Sequence, residues 1–235
     1  MANIKVILWD IDGTLLDFKA AEREAIRSCF ANFGLGICSD EMLQTYSKIN
    51  DAYWKRLERN EISKIEVLEG RFRDFFETYQ LDTSVVSAFN KEYQIRLGDT
   101  VCFHENGVET VKACKGKVKQ YAVTNGTKIA QERKLANSGL IHLLDGVFIS
   151  DVVGIEKPGK GFFDAVFDEI GTYDPTEVII IGDSLTSDIR GGNNAGILTC
   201  WYNPHKKIND QQVQVDYEIT DLSEVLDICS IAALD

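Results

Sequence analysis

Proline is scarce, three in 235 residues, and no stretch reads as a Pro/Gly/Ser linker or as low complexity. No period of solenoid length recurs, which excludes a repeat array. No apolar run approaches the ~18 residues that a membrane span needs. The opening Met-Ala-Asn-Ile-Lys-Val-Ile-Leu-Trp-Asp is too short in apolar residues for a signal peptide. The three histidines (His104, His142, His205) are scattered, and none of the six cysteines pairs as C-x-x-C. A zinc site and a disulfide framework are therefore not expected. Reduced thiols in a cytoplasmic protein are. Positive charge is short as well: 25 Lys and Arg stand against 37 Asp and Glu, a formal net charge of −12. Such a field repels nucleic acid and anionic membranes, so neither is expected as a partner. It repels a phosphate too, so an anion site in this chain needs its own local positive charge.

What is present alternates. Residues 4–9 are mostly apolar and β-branched or aromatic, and predict a buried strand ending at Asp10. Similar runs are Val118 to Val123, ending in Thr124-Asn125-Gly126, and Val178 to Ile181, ending in Gly182-Asp183-Ser184; shorter ones are Gly146 to Ile149 and Ile197 to Trp201. Helical periodicity covers roughly 128–139, 160–171, 186–195 and 222–232. Near-continuous apolar strands alternating with helices predict an α/β fold, with a parallel sheet covered on both faces. Residues 18–97 break the pattern. They are rich in Glu, Lys, Arg, Phe and Tyr at helical spacing, with Phe72, Phe75, Phe76 and Tyr79 on one face. Four or so helices and no strand are expected there. They form an insertion into a core of residues 1–17 and 98–235.

Asp10, Thr124 and Asp183 each sit at a strand's carboxyl end, where open α/β sheets place their ligand crevice. In Asp10-Ile11-Asp12-Gly13-Thr14 the turn can bring Asp12 back toward Asp10, and Gly13 would let backbone approach an anion. Two close carboxylates repel, which suits one nucleophile and one acid/base, or a shared cation. A plain Asp/Gly turn is the competing reading. A calcium loop is not: its glycine belongs sixth rather than fourth, and its twelfth position is Ala21 rather than Glu. Asp183 and Asp188 suit magnesium, which takes one or two carboxylates plus phosphate oxygens; helix capping explains them equally well. Lys157, between Gly154 and Pro158, is either a solvated loop charge or the fixed cation that a phosphate site requires. Thr124 and Asn125, ahead of a helix, offer donors to a phosphate or simply cap that helix.

Taken in order, D-x-D-x-T at 10–14, Thr124, Lys157-Pro158 and G-D-S-x-x-x-D at 182–188 resemble the four signatures of the haloacid dehalogenase superfamily. The resemblance spans residues 4–201. It implies a Rossmann-like core with a helical cap inserted after the first motif, and a magnesium-dependent phosphatase acting on small phosphomonoesters. Asp10 would attack phosphorus. Asp12 would protonate the leaving oxygen and then deprotonate water. Gly13, Thr124, Asn125 and Lys157 would hold the phosphate. Asp10, Asp12 (through its backbone carbonyl) and Asp183 would bind Mg2+, with Asp188 in support. The dehalogenase branch lacks the second aspartate, so Asp12 argues against a carbon–halogen substrate. The cap lysines sit among charges, without the buried lysine that a Schiff-base branch needs.

The stretches at 15–18, 182–197 and 199–204 are also similar to a branch of pyrimidine 5′-nucleotidases, which implies nucleoside monophosphate substrates. Phe18, Tyr46, Tyr53 and Trp54 are the candidates for stacking on a base, with packing as the competing reading; His205 is a further candidate near the crevice. The alternative substrates are small phosphorylated metabolites such as phosphoglycolate or sugar phosphates. A phosphomutase shares the same signatures. A catalytically silent phosphate-binding module would be favoured only if Asp10 or Asp12 were missing. The sequence carries no signal for an oligomeric state.

Overall fold

Every residue of strand β1 (Val6–Trp9) is apolar and every one is buried, which suits the middle of a sheet and no exposed position. The computed structural model describes residues 3–171 and 173–232. By its contacts the chain divides into two units, one made of the chain up to Asp17 and from Val101 onward, the other of Phe18–Thr100.

The first unit holds a wholly parallel sheet of β1, β2 (Lys119–Thr124), β3 (Gly146–Ile149), β4 (Val178–Gly182), β5 (Leu198–Tyr202) and β6 (Tyr217–Ile219). The strand order is β3-β2-β1-β4-β5-β6. The chain winds outward from β1 in one direction and then, from β4, in the other. The switch point lies between β1 and β4, and in open α/β sheets ligands bind outside the strand ends at that point. Register brings the strand ends level, with Trp9 opposite both Ala122 and Ile181.

The second unit is helical: α1 (Phe18–Asn32), α2 (Asp40–Glu58), α3 (Lys64–Thr78) and α4 (Val86–Asp99). Ser39 caps α2, its side chain accepting from Met42 N, and Ser63 with Glu66 forms a reciprocal capping box on α3. The core of this unit is aromatic. Tyr46 stacks on Phe72 with ring centroids 5.0 Å apart, and Phe72 meets the edge of Phe89 at 5.1 Å. Phe72, Phe75 and Phe76 are fully buried, while Tyr79 is half-buried and donates from its hydroxyl to Thr45 Oγ1. The sequence-based edge at residue 97 falls inside α4, which continues for two more residues to Asp99.

Helices α5 (Gly107–Cys114), α6 (Lys128–Asn137), α7 (Ser150–Val153), α8 (Lys160–Ile170), α9 (Arg190–Ala195) and α10 (Glu224–Ile228) belong to the first unit. The sheet has two apolar faces. Ile7, Trp9, Ile179 and Ile181 pack in one cluster, and Val6, Leu8, Val178, Ile180, Phe162 and Phe163 in the other. The helix expected over 186–195 begins instead as a wide π-type turn, Leu185–Ile189, before α9. Such turns recur at functional sites. Among the described residues no helix is long and apolar enough to cross a membrane.

Ile180 is fully buried in the central pair of strands. Ile180→Ala should destabilise the protein by about 2–5 kcal/mol, read as a lowered urea midpoint by tryptophan fluorescence; a loss below about 1 kcal/mol would contradict this packing.

Candidate active site

The backbone of Asp10, the residue after β1, donates to Ile181 O at 2.9 Å, which pins it beside β4. Asp10 as a whole is 7% exposed. Thr14 Oγ1 donates to Asp10 Oδ2 at 3.0 Å and accepts from Asp183 N at 3.1 Å, so one buried hydroxyl joins the ends of β1 and β4. The ammonium of Lys157 is 1% exposed and donates to Asp10 Oδ1 at 2.9 Å, Asp188 Oδ1 at 2.7 Å and the Val123 carbonyl at 2.7 Å. Asp188 also accepts from Ser184 N at 3.1 Å. The lysine is therefore no solvated loop charge.

Among the described residues, Asp10, Asp183 and Asp188 bring carboxylate oxygens within 4.8 Å of one another. At that distance two full charges repel by roughly 3 kcal/mol with an effective dielectric constant of about 20. Burial first, and then the Asp188 charge, push Asp10 up from the ordinary 3.8 to about 7, against the lowering pull of Lys157. Burial, followed by the charges of Asp10 and Asp188, holds Asp183 well above the usual carboxylate range. Burial alone would lower Lys157, but Asp10 and Asp188 outweigh it and hold the ammonium above its ordinary value. One lysine against three carboxylates leaves a surplus of negative charge among hard oxygen donors. That donor set fits a divalent, oxygen-preferring cation such as magnesium.

Several expected contacts differ in the structure. Gly13, expected against an anion, has φ +95°, and its N–H donates to Leu16 O at 2.8 Å. A Cβ there would lie 2.8 Å from Asp183 Oδ1, so the glycine makes room for a carboxylate rather than for a phosphate. Asn125 clamps the Lys157 backbone, its Nδ2 donating to Lys157 O and its Oδ1 accepting from Lys157 N, both at 2.8 Å. It positions the lysine. Lys157 has three N–H donors, and protein acceptors engage all of them. Thr124 is buried at the end of β2, where its hydroxyl accepts from Gly126 N at 3.0 Å and keeps its own proton to donate. The carboxylate of Asp12 lies outside the acidic cluster, where Asp188, expected in support, stands with Asp10 and Asp183.

Asp12 instead meets two residues of α6 that the sequence did not single out. Lys134 Nζ contacts its Oδ1, and Gln131 Nε2 donates to its Oδ2 at 2.5 Å. Both α6 residues are 1% exposed and share a face with buried Ala130 and Leu135. A lysine and a glutamine one turn apart on an apolar face were the available signal. Tyr46 is fully buried against Phe72, which removes it as a stacking partner for a base. Phe18, Tyr53 and Trp54 are half-buried, Tyr53 and Trp54 being bonded to Asp74 and Asn50, and His205 is exposed.

This site sits on a family match. Residues 4–196 match the model for haloacid dehalogenase-like hydrolases, and the chain belongs to that family. It is a hydrolase. It is 36% identical to the pyrimidine 5′-nucleotidase PynA of Streptococcus pneumoniae (strain ATCC BAA-255 / R6), covering 95% of this chain and 94% of that protein. It is 26% identical to the pyrimidine 5′-nucleotidase YjjG of Escherichia coli (strain K12), over 93% and 95% of the two chains. The magnesium-bound orthorhombic crystal structure of YfnB from Bacillus subtilis superposes with a TM-score of 0.91 at 32% identity, covering 97% of this chain and all of that one.

Without a cation, Asp10 keeps its proton to about pH 7 when folded but only to about 3.8 when unfolded. The folded state then binds more protons in that window, so its stability is full below the unfolded value and is lost as pH rises through 7. Chelator-treated protein should melt lower at pH 8 than at pH 5.5, and Asp10→Asn should shrink that difference. An unchanged difference would contradict the assignment.

Proposed function

We propose that the protein is a magnesium-dependent phosphomonoester hydrolase that works through an aspartyl-phosphate on Asp10, with pyrimidine nucleoside 5′-monophosphates as substrates. The observation that carries the reading is the division of labour between two aspartates two residues apart. Asp10 is fixed by Lys157 and Thr14 at the strand end, while Asp12 is turned aside onto α6. The names of PynA and YjjG support the substrate class, and the magnesium in YfnB supports the cation.

In this reading Asp10 Oδ attacks phosphorus as the ester P–O bond breaks. Asp12 gives its proton to the leaving alkoxide, then takes one from the water that attacks the phosphoenzyme and frees phosphate. Thr124 donates to a phosphoryl oxygen, and Lys157 supplies positive charge beside the transferring group. Asp10, Asp183 and the backbone carbonyl of Asp12, supported by Asp188, would hold Mg2+. The cation, when bound, neutralises charge that develops on the phosphoryl oxygens. With Asp12 available as the acid, a poor alkoxide leaving group is within reach, at a benefit of roughly 10²–10⁴ in rate.

Phosphate release with Mg2+ should favour uridine or thymidine 5′-monophosphate over sugar phosphates and phosphoglycolate. Asp10→Asn should abolish it with the fold retained by circular dichroism, and excess chelator should stop it. A flat substrate profile would remove the nucleotidase assignment. Turnover by Asp10→Asn would remove the nucleophile.

A further inference from the structure

Resting on that reading, we propose that Gln131 and Lys134 are positioning residues for Asp12: together they fix which way its carboxylate points. Each oxygen has its own donor, Oδ1 that of Lys134 and Oδ2 that of Gln131, so rotation of the carboxylate is set as well as its direction. A short acidic side chain two residues from Asp10 has another destination close by, the cluster of Asp10, Asp183 and Asp188. A cation held there would draw Asp12 in as one more ligand. The two α6 donors hold it out of that cluster and so leave it to serve as the acid.

The alternative is an ion pair that serves stability alone, and three features argue against it. Buried ion pairs are weak contributors to stability, because desolvation offsets the attraction. Gln131 Oε1 is buried with no hydrogen-bond partner among the described residues, and a side chain kept only for stability would not leave a buried acceptor unmatched. The path of Gln131 is also cleared by Gly126, where a Cβ would lie 2.1 Å from Gln131 Nε2. Any other residue at 126 would push the amide away from Asp12.

A misplaced proton donor slows the breaking of a bond to a poor leaving group and leaves a good one almost unaffected. kcat/KM reports that first step alone. The test compares uridine 5′-monophosphate, whose alkoxide needs a proton, with 2,4-dinitrophenyl phosphate, whose phenolate does not. Lys134→Met should lower kcat/KM for the nucleotide by about 10–100-fold and for the dinitrophenyl ester by less than about 3-fold, with Lys134→Arg restoring most of the loss. Gln131→Met should show the same asymmetry, and it carries the comparison if Lys134→Met does not fold. Equal losses on both esters, or no loss on the nucleotide, would overturn the proposal. Asp12→Ala is the control. If its loss does not depend on the leaving group, the acid role of Asp12 falls, and this proposal with it. If that dependence is present in Asp12→Ala but absent in the α6 variants, only the positioning proposal falls.

Discussion

A single ammonium group holds the centre of the molecule's chemistry in place. Lys157 Nζ is buried among Asp10, Asp188 and the carbonyl of Val123, and so ties the ends of β1 and β2 to the turn after β4. Removing a lysine and two carboxylates from water costs several kcal/mol for each ion, and their attraction repays this only when every donor is matched. Here all three are. Asn125 completes the arrangement by holding the lysine backbone from both sides. Burial first, and then the charges of the neighbouring carboxylates, hold Asp10 and Asp183 above their ordinary range, and the arrangement remains short of positive charge.

The sheet makes this convergence inevitable once its order is set. Strands β1, β2 and β4 are neighbours, and their carboxyl ends are level by register. Asp10, Thr124 and Asp183, far apart in sequence, therefore meet at one switch point. Thr14 bridges two of these ends with one hydroxyl. The turn that carries Gly13 at positive φ lets Asp183 come close while Asp12 departs toward α6.

The strands that build the site were readable because a parallel strand buried on both faces is apolar throughout, as in Val-Ile-Leu-Trp and Val-Ile-Ile-Ile-Gly. β6 was not: three residues, Tyr-Glu-Ile, are too few to show a period. α5 went unread, and the π-type turn at 185–189 was absorbed into a helix with nearly the same periodicity. Acidic residues at strand ends announced themselves by position. The engagement of donors did not, because whether Asn125 faces a phosphate or a backbone, or whether Lys157 has an N–H to spare, depends on loops that meet only in the fold. Gln131 and Lys134 escaped notice for a related reason. Long polar side chains on a helix ordinarily reach solvent, and only the tertiary structure buries these two against Asp12.

The chemistry proposed for this site requires a covalent bond between phosphorus and Asp10. Acid-quenching the enzyme during turnover of uridine 5′-monophosphate, reducing with borohydride and mapping peptides by mass spectrometry tests this directly, since an aspartyl-phosphate is reduced to homoserine. Homoserine at position 10, absent without substrate and absent from Asp10→Asn, is the result expected. Reduction at another aspartate during active turnover would contradict it.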